Sequence, residues 1–438
     1  MQAFDWAGLS PMDRQKALAR PVSRLDPRIA ETVRAIFDDV STRGAEAVAD
    51  WATRLDGAAP RCLPLDEAAL ADARQHVAPE DLEALAYAAD NVRAFMAAEK
   101  PTDGPVLSPR PGLKLQRLYR PLTTAGLYVP GGTAPLFSTL LMLAIPATVA
   151  GVTNPVAITP PGKTGAVHPM MVLAAHAAGL ERLWLVGGAH GIAALTFGTL
   201  SDETGRPLPR ADKLFGPGNA YVTEAKRQAA NLNGGPATDM PAGPSELLVI
   251  ADASADPDLV AADLLSQAEH DTDAQVVLIS PSETLIKATQ AALERQLATL
   301  PRADIARKAL AEARAIRVRS LDEAVDVSNA YAPEHLSLQV EDPAALIPHL
   351  MAAGTVFAGR GAAETFGDYA AGPSHVLPTD GAARAWDGIT VRSFMTSFVV
   401  QSAEGEGRDA LARASARLAR LEGLEAHALS LYTHLRAH

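Results

Sequence analysis

Gln267 and His270 stand three apart in the pentapeptide SQAEH (266–270), at the end of an amphipathic segment between two apolar runs. On a helix such a pair projects from one face, where an amide oxygen and an imidazole nitrogen could hold one metal ion. A histidine at a helix end also commonly caps the last carbonyls, so further ligands must come from elsewhere. In APEH (332–335), Glu334 and His335 are adjacent after a proline that stiffens the approach. They could bring two proton-transfer groups with different reference pKa values to one pocket. In ETFGDYAAGPSHVLP (364–378), Asp368 and His375 lie in a Gly/Pro-bracketed loop, and a carboxylate there suits zinc or manganese. Near the carboxyl end, His427 follows Glu422 by five residues within LEGLEAHALSLYTHLRAH.

The elements that must position these residues are legible locally. Residues 247–252 and 275–280 are short apolar runs of the buried-strand type. Between them Asp256 is a plausible N-cap with Pro257 at the first helical position, and Leu259, Leu264 and Leu265 contribute an apolar stripe. The unit reads as β-α-β. Residues 1–100 are largely helical by pattern, with a turn-rich break at 57–64. From about 118 the texture becomes short strands (125–129, 155–159, 182–186, and an apparent one at 355–358), each followed by turns and Ala/Leu helices. After 380 the chain reads as helical again, with 408–422 rich in Ala, Arg and Leu. This alternation predicts an α/β protein with parallel sheets flanked by helices, in two units. The apolar stretch 134–152 contains Ser138, Thr139, Pro146 and Thr148, and predicts a buried core helix rather than a membrane span.

Composition narrows the function classes. A chain of 438 residues has material for two or three domains, and 48% hydrophobic with 21% charged residues describes an ordinary globular protein. A formal net charge of -12 disfavours nucleic acid and anionic membrane as partners, since both demand a basic face. A small-molecule enzyme fits better. The single Cys62 excludes an intramolecular disulfide and a Cys-rich metal site, and suits a reducing compartment. The amino terminus lacks the apolar core of a signal peptide, so a cytoplasmic location is expected.

Four glycine-bearing turns at element boundaries predict an extended ligand crevice: Gly131-Gly132, Gly187-Gly188, Gly216-Pro217-Gly218-Asn219 and Gly243-Pro244-Ser245. A backbone without side chains can approach phosphate closely, and a helix amino terminus favours anions. None of the four satisfies G-x-G-x-x-G. AITPPGKT (157–164) imitates a phosphate-binding P-loop, but Ala157 replaces its first glycine, and Pro160 and Pro161 remove N–H donors.

The chain resembles the histidinol dehydrogenase family through YVPGG (128–132), FGPGNAYVTEAKR (215–227), DMPAGPSE (239–246), DLLSQAEH (263–270), APEHL (332–336), GDYAAGPSHVLPT (367–379) and GLEAH (423–427). These motifs follow the family's order over roughly three hundred residues. The resemblance implies one zinc per subunit held by Gln267, His270, Asp368 and His427 of the partner subunit in a homodimer. It implies that Glu334 and His335 transfer protons, that Ser245, Gln267, His270, His335, Asp368, His375, Glu422 and His427 hold substrate, and that Tyr128, His190 and Asn219 lie along NAD. The implied fold is two incomplete Rossmann-like domains, with small helical terminal pieces used in dimerisation. The expected division is a helical arm at 1–28, a first domain from 29–128 with 239–380, a second on the NAD side at 129–238, and a dimerisation tail at 381–438.

The implied reaction is the four-electron oxidation of L-histidinol through bound L-histidinaldehyde to L-histidine with two NAD. Neutral His335 suits removal of the alcohol proton, and Glu334 suits activation of the water that hydrates the aldehyde. Cys62 lies outside every motif, so a covalent thiohemiacetal route is unsupported. Three departures from the family pattern stand out: His190 replaces the usual Gln, Ser374 replaces the usual Asn, and the 201–210 segment is longer. The alternatives are a paralogue oxidising another small alcohol, such as a sulfonated diol, and a zinc hydrolase.

Overall fold

The continuous apolar runs become strands buried on both faces, as a parallel sheet covered by helices requires. Every residue of Glu246–Ala251 and of Gln275–Ser280 is buried, and so is every residue of Thr124–Tyr128. The computed structural model describes residues 1–20, 26–131, 135–162, 165–241 and 243–436. Gly132 of the first expected glycine turn, and Lys163 and Thr164 of the P-loop imitation, lie outside the described residues.

The described chain divides into two units, one of residues 1–99 with 123–394 and one of 100–122 with 395–438. The larger unit holds two six-stranded sheets. The first runs Gln2–Asp5, Arg314–Arg317, Gln275–Ser280, Glu246–Ala251, His335–Gln339 and Thr355–Ala358, all parallel. The second runs Arg61–Pro64, Arg182–Leu185, Asn154–Thr159, Thr124–Tyr128, Lys213–Phe215 and Ala237–Thr238. There only Arg61–Pro64 pairs antiparallel. After a first edge strand, each sheet continues near its middle, winds outward toward that edge, and then reverses. The reversals fall between Glu246–Ala251 and His335–Gln339 in the first sheet, and between Thr124–Tyr128 and Lys213–Phe215 in the second.

Sheet membership departs from the expected segments. Strands 61–64 and 124–128 were expected with the first domain but lie in the second sheet. The helices Pro27–Arg43 and Ala45–Leu55 send Val33, Ile36, Phe37 and Val48 into one core with Ile158 and Trp184 of that sheet and Ile192 of the helix Gly188–Phe197. Conversely Gln2–Asp5, expected in a helical arm, is an edge strand of the first sheet. Apolar periodicity says which face of an element is buried; it does not say against which sheet.

The expected core helix is Phe137–Ala150, buried almost throughout, and no helix among the described residues is long and apolar enough to cross a membrane. The expected tail divides at residue 394. Val391 and Phe394 are buried in the larger unit, where the Phe394 ring stacks on Phe215 at 4.1 Å. The smaller unit is less helical than expected, because Met395–Ala403 pairs antiparallel with Leu113–Pro121 through nine residue pairs. The helices Gly405–Leu421 and Glu425–Arg436 follow.

Cys62 is buried on its edge strand opposite Trp184, and burial pushes its thiol up to about 11. The thiolate is the nucleophile, so the folded protein should resist iodoacetamide at neutral pH and react fully in denaturant. Rapid alkylation of the native chain, read by mass spectrometry, would contradict that burial.

Candidate active site

The helix Pro257–Ala268 starts as the sequence predicts: Asp256 accepts from the Asp258 N–H at 2.9 Å, and Pro257 occupies the first turn. Because it crosses between two parallel strands, its carboxyl end returns to the edge where those strands begin. There it stops at Ala268, short of His270, which corrects the expectation of one continuous helical face. The His270 N–H still donates to the Gln267 carbonyl at 3.2 Å, so the two residues remain one turn apart. Gln267 is fully buried, and both polar atoms of its amide have no hydrogen-bond partner within the protein. A buried amide without partners costs about 1–3 kcal/mol, a cost that a bound ligand atom would remove. His270 Nε2 faces Asp368 Oδ2 at 3.6 Å. That contact with the Asp368 carboxylate raises the imidazole above its ordinary pKa.

Asp368 lies on the one-turn helix Thr365–Tyr369, buried. Burial alone pushes its carboxyl up, but the facing His270, His335 and His375 outweigh that and hold it below the usual carboxylate range. Four residues earlier, Glu364 has no exposure at all and accepts from the Ser266 hydroxyl at 3.1 Å. Burial first, and then the Asp368 charge, push Glu364 up to about 8.

His335 begins the strand beside Glu246–Ala251, and Glu334 immediately precedes it. One residue orients both: the Glu246 N–H donates to Glu334 Oε2 at 2.8 Å, and the Glu246 carbonyl accepts from His335 Nδ1 at 3.1 Å. A neutral imidazole that donates through Nδ1 leaves its lone pair on Nε2. Burial keeps the ring neutral, lowering it to about 4, and raises Glu334 well above an ordinary glutamate. An imidazole base and a carboxyl that will take a proton therefore sit side by side, shielded from water.

His375 ties this edge to the second sheet. Its Nδ1 donates to the Asp368 carbonyl at 2.8 Å and its Nε2 stands 2.9 Å from the Thr139 hydroxyl on the helix Phe137–Ala150. Both ring nitrogens are thus held by protein. Ser374, one of the departures, turns its hydroxyl onto the Val376 N–H at 3.1 Å. Ser245 immediately precedes the strand Glu246–Ala251, and its carbonyl accepts from Gln275 N–H at 2.9 Å.

At the second sheet the glycine turns converge where its strands end, beside the reversal of winding, the usual place for a nucleotide in an open α/β sheet. Gly216 follows Lys213–Phe215 with φ +113, and a Cβ there would lie 2.0 Å from the Tyr128 carbonyl. A Cβ on Gly187 would lie 2.5 Å from Pro160, so the imitation P-loop serves as a wedge under the turn. Tyr128 is buried, and burial pushes its hydroxyl up to about 12. Asn219 caps the helix Ala220–Ala230, its Oδ1 accepting from the Tyr221 and Val222 N–H groups. His190 is fully buried, with Nε2 3.0 Å from Asp56 Oδ2, an oxygen that also accepts from Gly187 N–H at 2.9 Å. Asp56→Ala would strand both donors, at about 1–3 kcal/mol each. For the NAD that the resemblance implies along His190, KM should rise about tenfold or more with kcat nearly unchanged, measured by initial rates; an unaltered KM would detach Asp56 from this crevice.

The family model described as histidinol dehydrogenase matches residues 19–435. Histidinol dehydrogenase of Xanthomonas euvesicatoria pv. vesicatoria is 48% identical over 428 residues, covering 98% of this chain and 97% of that one. That of Mannheimia succiniciproducens is 42% identical over 427 residues, with the same coverage. A crystal structure of histidinol dehydrogenase from Elizabethkingia anophelis superposes with a TM-score of 0.93 at 37% identity, covering 100% of this chain and 98% of that one.

The chain belongs to the histidinol dehydrogenase family.

Read as a histidinol dehydrogenase family member, the chain holds a residue that sequence reasoning passed over. Glu364 stands four before Asp368, a spacing that puts both carboxyls on one helix face, and that spacing was the available signal. Among the described residues, the His/carboxylate group whose ligand atoms all lie within 4.8 Å of one another is His335, Glu364 and Asp368. Only Asp368 is shared with the expected metal ligands. Metal ligands must be deprotonated. Glu364, pushed up to about 8 by burial, gives up its proton less readily than an ordinary carboxyl, and His335 Nδ1 is engaged by the Glu246 carbonyl. The unpartnered Gln267 amide and the facing His270 and Asp368 fit a borderline-to-hard divalent ion better. Glu422 and His427 are exposed residues of the smaller unit, His427 on the helix Glu425–Arg436 and Glu422 just after Gly405–Leu421.

Proposed function

We propose that the chain oxidises L-histidinol through enzyme-bound L-histidinaldehyde to L-histidine with two NAD, the last step of histidine biosynthesis. The observation that carries this reading is the buried Glu334–His335 pair, oriented by one peptide beside Asp368, in a chain of this family. Gln267, His270 and Asp368 would hold zinc, with His427 of the partner subunit of a homodimer completing the set. Bound zinc would grip the imidazole and amino groups of the substrate as a template, and NAD bound along Tyr128, His190 and Asn219 would accept hydride.

The protein's own groups handle the protons. His335 Nε2 takes the hydroxyl proton as the alcohol carbon gives up hydride, leaving an aldehyde. Glu334 takes a proton from the water that adds to that aldehyde, the resulting hydrate monoanion gives up a second hydride, and the carboxylic acid so formed releases its proton to leave the carboxylate. Per alcohol, one water is consumed, two NAD are reduced and three protons are released. Within the larger unit, Ser245 and His375 would help hold the substrate.

Stoichiometry decides the reading. Zinc-loaded protein given L-histidinol and excess NAD should form two NADH per alcohol consumed. One NADH with a different small alcohol, and none with L-histidinol, would point to a paralogous dehydrogenase. Turnover without NAD would point to a zinc hydrolase.

A further inference from the structure

Arg20 lies just beyond the helix Pro11–Ala17, outside every motif that carries chemistry, yet its guanidinium ends beneath the catalytic pair. Its Nε and Nη2 engage the two carboxylate oxygens of Glu246 as a fork, Nη2 to Oε2 at 2.8 Å. The two side chains are 13% and 1% exposed, so this is an ion pair largely withdrawn from water. The same Nη2 donates to the Tyr331 carbonyl at 3.0 Å and the Ala332 carbonyl at 3.4 Å. The guanidinium carbon sits 3.8 Å from the Tyr331 ring centroid. Glu246 is held from a third side by the Asp380 N–H, at 3.0 Å from Oε1.

These contacts join the two backbone segments that aim Glu334 and His335. One is Glu246, whose N–H and carbonyl bond directly to the two catalytic side chains. The other is the turn from helix Leu321–Tyr331 into Pro333-Glu334, where Ala332 adopts φ +56, a left-handed conformation unfavourable for alanine. Such a conformation persists only where its surroundings hold it. A planar fork that donates to a carboxylate on one edge and to carbonyls on another can fix both segments at once.

Resting on the proposed roles of Glu334 and His335, we infer that Arg20 is a positioning residue for proton transfer: through Glu246 and the 331–332 carbonyls, it sets the ring orientation of His335 and the carboxyl of Glu334. It touches neither substrate nor cofactor. A misplacement of about 1 Å at a reacting group can cost on the order of 100-fold in rate. Arg20→Met should therefore lower kcat about 10- to 100-fold, with KM for alcohol and for NAD changed less than about threefold and zinc content unchanged. Arg20→Lys should not rescue, because an ammonium reaching Glu246 cannot also hold both carbonyls and the ring face.

A second readout does not depend on the substrate. In protein labelled with nitrogen-15 histidine, the His335 ring, assigned by its loss in His335→Gln, should show a single Nδ1–H tautomer at neutral pH. Arg20→Met should convert it to a mixture of tautomers. Unchanged kcat in Arg20→Met with an unchanged tautomer pattern overturns the inference, as does a kcat loss matched by the fraction of unfolded chain. If Arg20→Met does not fold, Arg20→Lys decides by the same two measurements. Should the unaltered protein fail to oxidise L-histidinol, the proposed function falls while the tautomer pattern still tests Arg20.

Discussion

His335→Asn should lower turnover of L-histidinol by about 10²- to 10⁴-fold, the range a positioned general base supplies. Burial, which lowers His335 to about 4, keeps the imidazole unprotonated throughout the neutral range. Its Nδ1 is committed to the Glu246 carbonyl, which leaves the lone pair on Nε2. Asparagine fills similar space and has no basic nitrogen. Glu334→Gln should behave differently: its carboxyl, raised well above the ordinary range by burial, is assigned to the water that hydrates the aldehyde. Its loss should mainly slow oxidation of supplied L-histidinaldehyde and affect alcohol oxidation less. Steady-state rates with the two substrates separate the steps, and equal defects in both would reject this division of labour.

Asp368→Asn and His270→Ala should each lose zinc and activity together while remaining folded. Asp368 keeps its charge despite burial because three imidazoles face it, and Asn would remove the one carboxylate expected on the ion. Altering groups that merely support ligands costs 10- to 100-fold in metal affinity, so removing a ligand should cost at least about 100-fold. Zinc per chain after gel filtration, with circular dichroism as the check on folding, measures this. Full zinc occupancy in either variant would remove that residue from the ligand set.

The first of these experiments concerns residues whose importance is visible in a four-residue string; what aims them is not visible there. The strands at 124–128, 154–159, 182–185, 246–251 and 275–280, and the buried helix at 137–150, follow from local apolar runs bounded by turn and cap residues. Asp256 shows the capping that its place before Pro257 announces, and Ser10 and Asn219 cap their helices in the same way. By contrast, Gln2–Asp5 and Arg61–Pro64 are four-residue edge strands, too short for a pattern. The pairing of Met395–Ala403 with Leu113–Pro121 joins distant parts of the chain, and no local periodicity encodes a partner. Glu364 was legible by its spacing to Asp368. Arg20 and Glu246 were not, since their significance lies in what their backbone and side-chain atoms meet.

From the amino acids in order came the α/β class, the family likeness and the candidate reactive side chains, because propensity, capping and motif spacing act over a few residues. Tertiary structure alone decided which sheet each segment joins and which imidazole nitrogen is free. It also set how far each buried acid and base is moved from its ordinary pKa. Those properties depend on desolvation and on hydrogen bonds between segments that the chain brings together only when it folds.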